Sequence, residues 1–131
     1  MLYDGIGIGN RPYTIIAAGI GRYEIFMGES AFDARANTAQ FKSTLIHEMT
    51  HVWQGHHSWF GIAGVWLSSI KCQVLRQGNA YLYGEGNLNK DWGDFGKEEQ
   101  AQIVEDWYTN GMSTSDPRFH YIRDNIRKGE T

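Results

Sequence analysis

Cysteine is almost absent. The single thiol, Cys72, excludes an intramolecular disulfide and a cysteine-rich zinc cluster, so any metal site has to be built from His, Asp and Glu. No uninterrupted apolar run approaches the roughly 18 residues that cross a bilayer, which argues against membrane insertion. Residues 1–11 lack a basic segment followed by an apolar one, so the chain reads as having no export signal of its own. There is no dense Lys/Arg run, the net charge is −3 and the pI is about 5.9, which excludes a dedicated nucleic-acid surface. Peptides, proteins or small molecules are the partners this balance favours. What is present is a packed-protein composition, with 41% hydrophobic, 14% aromatic and 21% charged residues. At 131 residues it predicts one domain over 1–131.

The pattern along the chain predicts an α+β, mainly helical fold with a small N-terminal β-hairpin. Strands are expected over 13–18 and 22–27, joined by Gly19-Ile20-Gly21. A helix is expected over 39–54, capped by Asn37 or Thr38 and stopped by Gly55. A second is expected over 62–77, ended by Gly78, and a third from Lys97 to Tyr108 or Thr109. The last follows Ser115-Asp116-Pro117 and runs to Arg127. Residues 79–96, with Tyr81, Tyr83 and Trp92, read as an ordered aromatic loop.

The first long helix carries His47-Glu48-Met49-Thr50-His51, an H-E-x-x-H pattern. At about 100° per residue the two imidazoles stand roughly 40° apart and one turn along the axis, so both reach one ion at Zn–N bond lengths of about 2.0–2.1 Å. A chance match in a chain of this composition arises about once in a hundred random orderings, so the surroundings matter. Here they are an amphipathic helix whose apolar arc of Phe41, Leu45, Ile46, Met49, Val52 and Trp53 leaves the histidines off the core stripe. Glu48 falls beside the apolar edge, where partial desolvation raises a carboxylate toward a useful general base. The oxyanion of an acyl-transfer reaction needs a second donor, and Tyr81, Tyr83, His120 and Tyr121 are the candidates, with Tyr83 and His120 carried forward as catalytic. The strand from Tyr23 to Met27 is the one placed to pair with an extended substrate.

Zinc needs a third protein ligand. Glu98-Glu99-Gln100-Ala101-Gln102 resembles the E-x-x-A-D signature of gluzincin peptidases, which puts Glu98 in the ligand position, although helical phase does not separate it from Glu99. The signature's Asp, which orients a ligand histidine, is Gln102 here. The competing reading is metzincin-like and takes His57, six residues after His51, but its turn glycine arrives one position late at Gly55 and Met112 would have to serve as the methionine turn. A solvated helix exit is the plain alternative for His56 and His57.

With its flanks, Leu45-Ile46-His47-Glu48-Met49-Thr50-His51-Val52-Trp53-Gln54 and the later segment from Glu98 to Trp107 resemble the metallopeptidase domain fused to the C-terminus of some valine-glycine-repeat spike proteins of bacterial type VI secretion. The resemblance implies a zincin fold with one zinc per chain held by His47, His51 and Glu98, and a domain carried on the secretion spike in cis. It implies a toxin effector without its own signal peptide, acting in the target-cell periplasm on a peptide or protein substrate and opposed by an immunity or inhibitor protein. The function expected is zinc-dependent peptide hydrolysis with Glu48 as base. Two other readings stay open: a catalytically idle, zinc-stabilised interaction module, and a metal amidase acting on peptidoglycan.

Overall fold

The computed structural model describes residues 2–3, 13–17, 22–27, 38–57 and 83–130. The helix expected over 62–77, with Cys72, and the candidate Tyr81 lie outside the described residues. Within them the fold is α+β: a small sheet, then helices.

Three strands form the sheet, β1 (Leu2–Tyr3), β2 (Tyr13–Ala17) and β3 (Arg22–Phe26), in the order β1-β3-β2. The expected hairpin is present, with Tyr13 opposite Phe26 and Ala17 opposite Arg22 in antiparallel register. The strand expected to pair with an extended substrate, from Tyr23 to Met27, is instead already flanked: β1 pairs with β3 in parallel, Leu2 beside Ile25 and Tyr3 beside Phe26. With β1 on one side and β2 on the other, β3 is central, and at Ile25 and Phe26 it is paired on both sides. Among the described residues, β2 is the edge nearer the helices' polar chemistry, since its Thr14 reaches Glu48.

Helix α1 spans Ala39–His57. Thr38 caps it, its hydroxyl accepting the Phe41 N–H at 3.1 Å. The expected stop at Gly55 does not occur: the helix continues to His57 and Gly55 is buried inside it. The glycine serves close packing instead, because a Cβ at this position would lie 2.6 Å from Tyr23 Oη and 2.8 Å from Tyr23 Cε1. Helix and sheet approach each other through that missing methyl group.

Helix α2 spans Lys97–Thr109, and Glu99 caps it by accepting the Gly96 N–H at 2.7 Å. It ends in a Schellman turn: Met112 N–H donates to Trp107 O at 3.0 Å, Gly111 N–H to Tyr108 O at 3.1 Å, and Gly111 takes φ +86°. The last helix begins as α3 (Phe119–Tyr121) and widens into a π-helical turn over Ile122–Ile126, where Arg127 N–H reaches Ile122 O at 3.0 Å.

Two apolar clusters flank α1. On one side Ile25 and Met27 pack with Phe41, Leu45 and Val52; on the other, Tyr83, Trp92, Phe95, Ile103 and Tyr121 pack with Trp53, Leu88, Val104 and Ile126. The helix is therefore enclosed on two sides, and the polar strip between them is buried as well. This overturns the expectation of histidines off the core: Ser43, His47, Glu48, Thr50, His51 and Gln54 are buried, whereas Met49, placed in the apolar arc, is 52% exposed.

The close approach at Gly55 gives a stability test. Gly55→Ala gains about 1 kcal/mol of helix propensity but forces the Tyr23 ring aside, an overpacking cost of about 1–3 kcal/mol, so a net loss is expected in thermal or urea unfolding. In a Tyr23→Leu background the same alanine should stabilise. A loss of equal size in both backgrounds would show that Tyr23 is not the obstacle.

Candidate metal centre

Two layers supply the centre. His47 and His51 project from consecutive turns of α1, their ring centroids 5.0 Å apart and nearly perpendicular, and Glu98 reaches them from the first turn of α2. Glu98 Oε2 lies 3.3 Å from His47 Nε2 and 3.5 Å from His51 Nε2. All three donor atoms fall within 4.8 Å of one another, and all three residues are buried. For a tetrahedral ion with ligand bonds of about 2.0–2.1 Å, neighbouring donors sit about 3.3–3.4 Å apart. The two Glu98 distances are close to that edge length, and the three residues lie close enough together to hold a metal ion.

The far side of each imidazole is occupied. His47 Nδ1 is 2.9 Å from Glu105 Oε2, and because an ionised carboxylate only accepts, Nδ1 carries the proton and Nε2 faces Glu98. His51 Nδ1 is 2.9 Å from Gln54 Oε1. Burial alone would lower the His47 pKa, yet the hydrogen bonds to Glu105 and Glu98 outweigh it and push it up to about 9. Burial raises Glu98, but hydrogen bonds from His47 and His51 overcome that and hold its carboxyl far below the usual carboxylate range. The proton that His47 shares with Glu98 is thus the positive charge that a metal ion would replace beside the Glu98 carboxylate.

Glu48 lies on the neighbouring face, 5% exposed, with Oε2 accepting the Thr14 hydroxyl at 2.7 Å. Desolvation raises its pKa against the opposing pull of the His51 charge and the Thr14 hydrogen bond. A buried carboxylate with one oxygen anchored by Thr14 keeps its other oxygen for proton exchange.

The alternatives of the sequence separate by geometry. Glu99 is spent on the cap at Gly96, so the glutamate turned to the histidines is Glu98. His57 stays on the continuing helix, about 9 Å along the axis from His51. There its Nδ1 donates to Trp53 O at 2.9 Å and its ring stacks on Trp53 at 4.9 Å, outside the triad. Gln102 donates to Asp106 at 2.8 Å and orients neither histidine. That task falls to Glu105, which the sequence reading missed; its signal is the seven-residue interval from Glu98, which returns to the same face of α2.

The oxyanion candidates lie elsewhere. The Tyr83 hydroxyl donates to Asp106 Oδ2 at 2.5 Å and accepts from Arg118 Nε at 2.7 Å. Arg118 in turn grips Asp116 through two contacts of 3.0 and 3.1 Å. Burial, reinforced by Asp106, pushes the Tyr83 phenol up to about 12. His120 is exposed, its Nδ1 donating to Pro117 O at 2.7 Å, and the Tyr121 hydroxyl reaches the Lys90 and Leu88 carbonyls at 2.7 and 2.9 Å. None of the three hydrogen-bonds to His47, His51 or Glu98 among the described residues.

One divalent metal ion per chain is expected by elemental analysis after loading. Calorimetric titration should show affinity falling by at least about 100-fold in His47→Ala, His51→Ala and Glu98→Ala, and by about 10–100-fold in Glu105→Gln. His57→Ala and Glu99→Ala should stay within a few-fold of wild type. A larger loss from His57→Ala than from Glu98→Ala would move the third ligand to His57.

Comparison of the whole chain with known protein families, curated proteins and solved structures gives no match. The functional reading therefore rests on the side chains just described.

Proposed function

We propose that this chain is a zinc-dependent hydrolase of peptide bonds, with His47, His51 and Glu98 as ligands and Glu48 as general base. The observation that carries the reading is the buried Glu48 carboxylate, adjacent in sequence to a ligand histidine and anchored by Thr14, on the same helix as two histidines whose Nε2 atoms converge on Glu98. Zinc at such a site supplies Lewis acidity and lowers the pKa of a water molecule toward about 7.

The chain's own residues do the rest. Thr14 holds Oε2 of Glu48, which leaves the other carboxylate oxygen to take a proton from the attacking water and return it to the departing amine. Glu105 and Gln54 keep both ligand rings oriented. An extended peptide would add to the outer edge of β2, which carries Thr14 and pairs only with β3 among the described residues. An idle zinc-stabilised module has no use for a desolvated carboxylate at position 48, since burying one costs several kcal/mol when it serves nothing. The same chemistry would open an amide in a peptidoglycan cross-link, and a panel of protein and peptidoglycan substrates decides between them.

The biological setting proposed is that of a toxin effector domain delivered on a type VI secretion spike, on the strength of the flanks that resemble such domains. Among the described residues no helix is long and apolar enough to cross a membrane. Expression with an added export signal should impair bacterial growth from the periplasm, and toxicity confined to the cytoplasm would redirect the substrate search there.

Glu48→Gln should keep zinc and lose about 10²–10⁴-fold in kcat, since an amide fills the same volume but accepts no proton. Unchanged turnover would remove Glu48 from the mechanism. Tyr83→Phe should cost less than tenfold in kcat, whereas removal of an oxyanion donor costs about 10²–10³-fold.

A further inference from the structure

The hydrogen-bonded group of Tyr83, Asp106, Arg118 and Asp116 takes no part in the metal centre. It underlies a cleft of about 820 Å³ between the C-terminal turn of α2 and the residues just before α3, with Asp106 and Arg118 in its wall. None of His47, Glu48, His51 and Glu98 lines this cleft. Thr109, which does, stands about 16 Å along the axis of α2 from Glu98. Its volume is that of a small-molecule site, for which about 300–1,000 Å³ is usual.

The charges in the wall are paired with one another. Arg118 donates from Nε to the Tyr83 hydroxyl at 2.7 Å and from Nη1 to the two oxygens of Asp116 at 3.1 and 3.0 Å, and both Arg118 and Asp116 are buried. Asp106 accepts from Gln102 on one oxygen and from Tyr83 on the other. An anion entering the cleft meets Asp106 and a cation meets Arg118, so a ligand of either sign faces a like charge.

The groups with hydrogen-bonding capacity to offer are neutral. Asn110 Nδ2 donates to Asp116 Oδ2 at 2.7 Å, and because an ionised carboxylate only accepts, this fixes the amide with its Oδ1 end as the one left over. The Thr109 hydroxyl donates to the Glu105 and Asp106 carbonyls at 3.1 Å each and keeps its lone pairs. The exposed side-chain amide of Asn89 makes no hydrogen bond among the described residues and offers both a donor and an acceptor. Leu88 and Pro117 add apolar surface between these polar groups.

We propose that this cleft binds an uncharged saccharide. Sugar hydroxyls both donate and accept, so they match acceptors at Thr109 and Asn110 beside the two-way amide of Asn89, while the C–H faces of a pyranose ring suit Leu88 and Pro117. The buried Arg118–Asp116 pair holds the wall in place before a ligand arrives, which lowers the ordering cost of binding.

The site is independent of the zinc reading and is tested without metal. Metal-free protein labelled with ¹⁵N is titrated with chitotriose and with cellotriose, two β-1,4-linked trisaccharides that differ in the acetamido group at C2. Saturable shifts at millimolar sugar are expected at the amides of Asn89, Thr109 and Asn110, alike at low and high salt, with His51 and Glu98 unmoved. Shifts with chitotriose alone assign the cleft to N-acetylated glycans, and shifts with both assign it to pyranose sugars more broadly. Asn89→Ala, which truncates an exposed side chain, should weaken binding about 5–10-fold, and Thr109→Val should do the same. No shift with either sugar overturns the proposal, as do shifts centred on His51 and Glu98, or an affinity that falls steeply as salt is raised, which would mark a site for charge.

Discussion

The structure depends on one docking event, the burial of the polar face of α1 against α2. Two imidazoles, a glutamate and a glutamine leave water together, and each buried polar group costs about 1–3 kcal/mol when it finds no partner. Helix α2 supplies the partners: the Lys97 carbonyl and Gln100 for Gln54, Glu98 for both Nε2 atoms, and Glu105 for His47. Because these bonds are directional, they fix the rotation and axial position of one helix on the other more tightly than apolar contact alone. The register that satisfies them is also the register that assembles the three donors.

That coincidence links stability to function. The aromatic cluster of Tyr83, Trp92, Phe95 and Tyr121 holds the entry to α2, and the Trp92 carbonyl accepts from Gln100, which in turn accepts from Gln54, so the packed loop supports the site through a backbone atom. On the opposite side, Gly55 lets the Tyr23 ring come close while Thr14 reaches Glu48, so the sheet positions the proposed base as α2 positions the ligands. Glu48 and the two histidines share one helix but are held from two layers. A fault in either layer should damage metal affinity or turnover separately.

Local signals in the sequence were legible and relations between elements were not. The H-E-x-x-H spacing, the Thr38 cap, the bounds of α2 and the hairpin strands are all short-range, set by helical pitch, capping chemistry and alternation. Phase alone left Glu98 and Glu99 equivalent because both sit at the margins of one arc; a capping bond to Gly96 separates them. Gly55 carried the composition of a helix end, and only the position of Tyr23 reveals it as a packing residue. The parallel β1 strand, two residues long and distant in sequence from β3, has no local signature, so β3 read as the strand open to an extended substrate. The wheel failed for α1 because it assumes one buried face, whereas here the polar strip is buried too.

The central claim is that two imidazole nitrogens and one carboxylate oxygen of this chain hold a zinc ion. X-ray absorption at the zinc edge of the loaded protein tests it directly. The account predicts a first shell of light atoms only, near 2.0–2.1 Å, with outer-shell scattering from two imidazole rings, the second ring signal lost in His51→Ala. A sulfur neighbour at about 2.3 Å, which would bring in Cys72, or three imidazoles in place of two, would contradict it.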